Sequence, residues 1–489
     1  MSLHPDYLTA TDFYQLFKCP HWPYFERFAD DEEKKLKRDF TESEIKRMED
    51  GVAHEARVVA DFFKDEEVVK ANVVHDAEKD FEATLDLMRQ GVTYIYQGTL
   101  TFGDWTGRPD LLERQTGESE LGAWHYIPLD VKSTFRLEKY QKFQLTFYSV
   151  LLEKIQKRFP AQAAIFNLDR ERMSFQPADF LREFEETVVE LERIRAGERP
   201  DPVLRKSCFD SGPWGAACER LAKMNDDIAL LYNVDVKKLR VLRDLGVRTV
   251  ADAAEMDPAV LDGTAPGLRA HGLERIKLQA RALRDEQVYI RKPADLPAAG
   301  LEIHFDIESY PPDDKDYLYG FLIREKTGDR YQSFFSRSAE GEEGMWKEFL
   351  AWIETLPEDF TVYHFAVYEK TRLAILEKRY GGSAALEHFR ENMVDLKEMI
   401  NSCAIFPLYF YGLKYVASFL GFSWQGAVKG GSQSVDYYEK FLENGDESLL
   451  EAVVRYNEED VRATAFLKDW LEKYAQEITS YEQHYPWQE

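Results

Sequence analysis

Between residues 96 and 134, apolar and polar positions alternate in the runs YQGTLTF, WTGRPDLLER and AWHYIPLDVKST, with glycine-containing turns between them. A period of two sends successive side chains to opposite faces, so these runs predict three successive strands, each burying one face. Helices flank them. ESEIKRMEDGVAHEARVVADFFK, from Glu42 to Lys64, and EKYQKFQLTFYSVLLEKIQ both place apolar residues three and four apart, the spacing of an amphipathic helix. From about 221 to 290 the pattern changes. VDVKKLRVLRDLGVRTVADAAEMDPAVL and LRAHGLERIKLQARAL read as short helices joined by glycine turns, a hairpin of helix-hairpin-helix type whose pattern other small helical domains share. RKPADLPAAG follows as a Pro/Ala-rich joint. LEIHFDIES then reads as a buried strand, YLYGFLIRE and RYQSFFSR continue a sheet, and helices dominate to the C-terminus.

At 489 residues and about 150 residues per domain, three parts are expected. The pattern divides them as an α/β part at 1–220, a helical linker module at 221–297 and a second α/β part at 298–489. With 44% hydrophobic and 14% aromatic residues there is ample material for packed cores. The charge narrows the function. Lys and Arg number 63 against 89 Asp and Glu, a net −26, which excludes a polyanion binder that relies on a broad basic surface. A nucleic-acid partner would have to meet a local basic groove. The opening MSLHPDYLTATDFYQLF lacks the basic stretch and apolar core of a signal peptide, and no apolar run is long enough for a bilayer. The expectation is a cytoplasmic protein without a membrane partner. In a reducing compartment Cys19, Cys208, Cys218 and Cys403 are core residues, metal ligands or cluster ligands ahead of disulfides.

Two constellations of carboxylates stand out. In YIPLDVKST, Asp130 and Lys132 lie two apart and share a strand face. Burying that pair is costly unless each charge finds partners, and a divalent metal with a phosphate substrate would supply them. Asp110, in GRPDLL, would add a second carboxylate, and His54, on the preceding helix, a neutral imidazole. Such a set holds a hard cation that activates water and offsets transition-state charge, while the lysine positions the nucleophile or stabilises developing charge. Gln144 and Tyr148, four apart, would share a helix face above it. A lone D-x-K is most often a surface pair, so its order among the other motifs carries the argument. In HFDIES, Asp306 and Glu308 share a face and would repel each other without a cation. RYNEEDVRAT places Tyr456 and Asp460 on one helical face, and VYHFAVYEKTRL between them carries Glu369. Asp395, in MVDLKEMI, reads as a helix N-terminal acid.

Helical His, hairpin G-x-x-D, strand D-x-K and helical Q-x-x-x-Y, in that order, resemble the PD-(D/E)xK nucleases of the RecB type. The resemblance implies a restriction-endonuclease-like fold with His54, Asp110 and Asp130 as metal ligands and Lys132 as the catalytic lysine. Gln144 and Tyr148 would fit that family's motif near DNA. Some of these nucleases hold an iron–sulfur cluster with one cysteine before the fold and three after it. FKCPHWPYFERF supplies Cys19, and KSCFDSGPWGAACERL supplies Cys208 and Cys218. Trp214 fits the pattern C-x-x-C-x-x-W-x-x-x-C, but Ser211 stands where its middle cysteine belongs. The alternatives are a cluster with serine as a poor fourth ligand and a lost cluster replaced by packing.

D-x-E, HFAVYE and Y-x-x-x-D in order resemble the DEDD exonucleases of the RNase H-like fold, in the tyrosine subtype. That implies Asp306, Glu308, Glu369 and Asp460 as ligands of two Mg²⁺ or Mn²⁺ ions, with Tyr456 orienting the water. Phe365 and Glu369 depart from the Asn and Asp of the family's H-N-A-x-F-D-x-x-x-L. TATDFYQLFKCPHWPYFER and GLKYVASFLGFSW extend the resemblance, to RecB-family nucleases with a C-terminal RNase H-like domain, over essentially the whole chain. The function it implies is a metal-dependent nuclease, an exonuclease on DNA with single-stranded character or free ends, using two separate sites. A binding scaffold without turnover and an RNA-directed exonuclease are the alternatives. QGAVKGGSQS lacks the spacing of a P-loop, so helicase action would require a partner, a helicase or another repair or defence protein.

Overall fold

A computed structural model describes residues 7–475, apart from 65, 133–136, 168–170, 211, 265–266, 299, 312–313, 326–327 and 339. The chain divides into two compact units, residues 1–222 and 223–489.

The first unit is built on a mixed sheet. Its strands in chain order are β1 (Val68–Lys70), β2 (Tyr94–Tyr96), β3 (Leu100–Phe102), β4 (Trp105–Gly107), β5 (Leu111–Ser119), β6 (Gly122–Val131), β7 (Ala163–Phe166) and β8 (Arg172–Phe175). Six of them form one sheet in the order β1-β2-β5-β6-β7-β8, while β3 and β4 pair apart as a small hairpin. The run WTGRPDLLER, expected as one strand, is therefore two. Pro109 has no N–H for a ladder bond and interrupts the strand, which leaves Asp110 at the break beside β6. The helix Lys139–Gln156 forms as its periodicity predicts, and Phe143, Phe147 and Leu151 pack beneath it with Phe13 and Phe184. Each such apolar side chain contributes roughly 1.5–3 kcal/mol on burial.

The second unit begins with the helices Val236–Asp244, Val250–Glu255 and Ala270–Asp285. They are docked on the rest of the unit by a buried amide. Gln279 Nε2 donates to Phe406 O at 2.8 Å and to Leu408 O at 3.2 Å, and the Tyr411 hydroxyl donates to Gln279 Oε1 at 3.0 Å. The strands are β9 (Tyr289–Ile290), β10 (Glu302–Tyr310), β11 (Lys315–Glu325), β12 (Gly328–Phe335), β13 (Thr361–His364), β14 (Met393–Asp395) and β15 (Ala404–Ile405). β9 pairs with β15, and the main sheet runs β12-β11-β10-β13-β14. Its first three strands are antiparallel, and β13 and β14 run parallel to β10. The alternation of β10 and β11 sorts their side chains. Ile303, Phe305, Ile307, Tyr319, Phe321 and Ile323 meet Phe349 and Phe389 in one core. Asp306, Gly320 and Leu322 lie on the opposite face, against the helix Glu447–Tyr474. No helix among the described residues is long and apolar enough to cross a membrane.

Candidate functional site

At the end of the first sheet, β6 carries Asp130 inward, fully buried, and Lys132 follows it. Lys132 Nζ lies 3.1 Å from Asp130 Oδ2 and 3.7 Å from Asp110 Oδ2. The two carboxylates are locked by reciprocal backbone bonds. Asp110 N–H donates to Asp130 Oδ1 at 3.1 Å, and Val131 N–H donates to Asp110 Oδ2 at 2.7 Å. Burial, with the charge of Asp130 behind it, lifts the Asp110 carboxyl to about 8. Burial alone would pull the Lys132 ammonium down, but Asp110 and Asp130 outweigh it and hold the group charged. Tyr148 lies over this edge, its hydroxyl accepting from Gln144 Nε2 at 3.1 Å and donating to Arg108 O at 3.3 Å. Gly107 makes room for it, since a Cβ there would stand 2.6 Å from the Tyr148 ring.

Thus Asp110, Asp130, Lys132, Gln144 and Tyr148 come together. His54 is buried but does not join Asp110 and Asp130 in a group whose ligand atoms all lie within 4.8 Å. Its neighbour Glu55, absent from the sequence motifs, accepts from Gln97 Nε2 at 3.2 Å, and its charge acts on Asp110. A glutamate on the polar side of an amphipathic helix carries no sequence signal that separates it from a solvated one.

In the second unit, Asp306, Glu308 and Asp460 bring carboxylate oxygens within 4.8 Å of one another. Among the described residues none of the three forms an ion pair. Burial and mutual repulsion raise Asp306 and Glu308 far above the ordinary carboxylate range, and burial raises Asp460 to about 6. Three hard oxygen donors crowded within reach of one ion fit a divalent cation such as Mg²⁺ or Mn²⁺. Trp424 Nε1–H donates to Asp460 Oδ1 at 2.6 Å, and the Tyr456 phenol neighbours the same carboxylate. Burial keeps the Tyr456 phenol protonated far above its ordinary value. Burial, with the charge of Asp395 behind it, lifts the Glu369 carboxyl to about 8, and Asp306 lies among its neighbours. His364 Nδ1 lies 3.3 Å from Glu369 Oε2, and burial lowers its imidazole to about 4. Asp395 caps the helix Leu396–Cys403 through Lys397 N–H at 2.8 Å and also accepts from Ala366 N–H at 2.9 Å.

Asn457 completes the site without having been anticipated. Its Nδ2 donates to Asp306 Oδ2 at 2.7 Å, and its Oδ1 accepts from the Tyr331 hydroxyl at 3.0 Å. Gly320, paired with Asp306 in the β10–β11 register, lets the helix approach so closely that a Cβ would lie 1.5 Å from Asn457 Oδ1. Lys414 is a further unanticipated group, its Nζ 4.4 Å from the centre of the Tyr456 ring. The adjacency of Asn457 to Tyr456 in YNEEDVRAT was the available signal.

The cysteines form a third cluster. Cys19, Cys208 and Cys218 are fully buried, and Cys19 Sγ lies 3.1 Å from Cys218 Sγ. Cys208 packs in the same cluster, its thiol directed at Val203 O at 3.6 Å and Lys18 O at 3.8 Å. Ser211 lies outside the described residues. Cys403 is buried in the core of the second unit.

Residues 24–219 match the family model of the PD-(D/E)XK nuclease superfamily, and residues 303–472 match that of the RNase_H superfamily. A search of curated proteins finds no match. With these two matches on the mixed α/β units that hold the two carboxylate sets, residues 24–219 form a PD-(D/E)XK nuclease superfamily domain and residues 303–472 an RNase_H superfamily domain.

Proposed function

We propose that the chain is a divalent-metal-dependent exonuclease with two separate carboxylate sites, acting on DNA that is single-stranded or offers free ends. The observation that carries the reading is the group of Asp306, Glu308 and Asp460, three acids within 4.8 Å with no ion-pair partner among the described residues. In the second unit these residues, joined by Glu369 once it ionises, would hold the metal. In the first unit Asp110 and Asp130 would hold it, with His54 reaching in from its helix. When bound, Mg²⁺ or Mn²⁺ supplies a polarised water and counter-charge for the transition state.

The protein's own groups do the positioning. Lys132, kept charged by its two acidic neighbours, faces developing negative charge on the phosphoryl group. Tyr148, held by Gln144, contacts the strand beside it. Tyr456 retains its proton beside Asp460, so its hydroxyl orients a water rather than removing a proton from it. The glycine hairpin between the helices Val236–Asp244 and Val250–Glu255 serves as a backbone grip of helix-hairpin-helix type. We place the protein in the cytoplasm with a helicase or another repair or defence protein as its partner.

The test is cleavage of end-labelled single- and double-stranded DNA and of RNA in Mg²⁺, Mn²⁺ or EDTA, comparing wild type with Lys132→Ala and Asp306→Ala. Each substitution is expected to remove one component of a metal-dependent activity, and a double variant as active as wild type would refute the reading. Binding without cleavage in every divalent ion would instead make the protein a scaffold.

A further inference from the structure

The first unit holds a cluster that the nuclease chemistry does not use. Cys19 caps the helix Ala10–Lys18, Cys208 lies in Lys206–Asp210 and Cys218 in Gly215–Met224. The first and last are 199 residues apart in sequence, and all three are free thiols. His21, two residues beyond Cys19 and fully buried, brings a ring nitrogen within 4.8 Å of both the Cys19 and Cys218 sulfurs. His21 Nε2 lies 2.9 Å from Pro200 O. A carbonyl only accepts, so Nε2 carries the hydrogen and Nδ1 the lone pair. That is the arrangement of a metal-bound histidine, whose second nitrogen donates to a backbone carbonyl and fixes the ring.

Neither packing nor an iron–sulfur cluster accounts for this geometry as well as a single ion does. Packing alone, among Trp22, Phe25 and Trp214, does not call for an imidazole set between two thiols with a third thiol buried in the same cluster. An iron–sulfur cluster places its cysteines on different irons, which holds their sulfurs well apart. Ligands of one tetrahedral zinc stand close, because Zn–S bonds of about 2.3 Å put two sulfurs about 3.8 Å apart. The 3.1 Å between Cys19 and Cys218 and the 4.8 Å limit with His21 belong to the single-ion scale. We propose that Cys19, His21, Cys208 and Cys218 form a mononuclear Cys₃His zinc site that clasps the two ends of the first unit, with His21 in place of the fourth cysteine. Three thiolates and an imidazole are the donors of a closed structural zinc site, and Ser211 is not needed as a ligand. The site is independent of catalysis at either carboxylate set.

The test is the metal content of the full chain, purified without chelator and also reconstituted with zinc under reducing conditions. About one zinc per chain, with neither iron nor acid-labile sulfide, is expected. Cobalt in its place should give the visible absorption of a tetrahedral thiolate site, altered in His21→Ala, lost in Cys218→Ser and unchanged in Cys403→Ser. Removing zinc from wild type should lower its thermal midpoint. Iron with stoichiometric sulfide, a wild-type chain that binds no zinc, or full zinc occupancy in Cys218→Ser would each overturn the proposal. The wild-type measurements decide it even where a variant fails to fold.

Discussion

Asn457 is an uncharged residue on which the second carboxylate set depends. Tyr331 fixes its Oδ1, so Nδ2 faces Asp306 and orients that carboxylate. Loss of such an orienting partner costs about 10–100-fold in metal affinity or activity. Asn457→Ala, in a background carrying Asp110→Asn and Asp130→Asn, should weaken Mn²⁺ binding by that factor in a calorimetric titration. Gly320→Ala should act in the same direction, because the new methyl meets an amide already held by Tyr331. Its overpacking should also cost about 1–3 kcal/mol. The protonation of the site gives a second prediction. Asp460 at about 6 and Glu369 at about 8 both lie above the ordinary values of about 3.9 and 4.3. The folded state therefore keeps protons that the unfolded chain releases. The associated stability is present below about pH 4 and is lost as pH rises toward about 8. A divalent ion competes with those protons, so its affinity rises through the same window. Metal-free protein should melt lower at about pH 8 than at about pH 5, and the stabilisation by Mn²⁺ should grow over that interval. An Mn²⁺ effect equal at both pH values would contradict the raised carboxylates.

The strand β10 was largely legible in HFDIES because its period of two puts Phe305 and Ile307 in the core and Asp306 on the other face. The helix Tyr368–Tyr380 was not, because its position depends on charges remote in sequence. Arg372 Nε lies 2.7 Å from Asp316 Oδ1 in β11, and its NH2 lies 3.7 Å from Glu342 Oε1 at the start of the helix Glu342–Ile353. Arg379 NH1 reaches Glu342 Oε2 at 2.8 Å. Asp316 and Glu342 are almost wholly buried, so removing Arg372 strands carboxylates in the interior. Breaking a buried pair in this way costs about 3–5 kcal/mol. Arg372→Met should lower stability by that amount in denaturant unfolding. Because the same helix carries Glu369, the variant should also lose Mn²⁺ affinity at the second site. No local pattern connects residues 316, 342 and 372, and only the sheet register and helix docking bring them together. The break at Pro109, by contrast, had its signal in the residue type, which the expectation of one strand passed over, and it delivers Asp110 to β6.

Across the whole molecule, order and composition were the readable levels. Two carboxylate sets in sequence order pointed to two nuclease domains, whereas Glu55, Asn457, Gly320 and Lys414 surfaced only when helices met strands. The net charge of −26 has its own consequence. A protein that binds single strands through a broad basic surface releases many counterions, and log K falls with log salt by about 0.7 for each phosphate neutralised. Here each acid-rich site repels a polyanion until a divalent ion screens it, and the local cations at hand include Lys132 and Lys414. Roughly two to four phosphate contacts would give a slope of about −1.4 to −2.8. Fluorescence anisotropy with labelled single-stranded DNA, using Ca²⁺ to occupy the carboxylates without turnover, should return a slope in that range. Withdrawing Ca²⁺ should weaken binding more than doubling the monovalent salt does. A slope of about −5 or steeper, unaffected by Ca²⁺, would mean that a basic groove remote from the carboxylates holds the strand. The acidic balance of the chain would then have no bearing on how it meets nucleic acid.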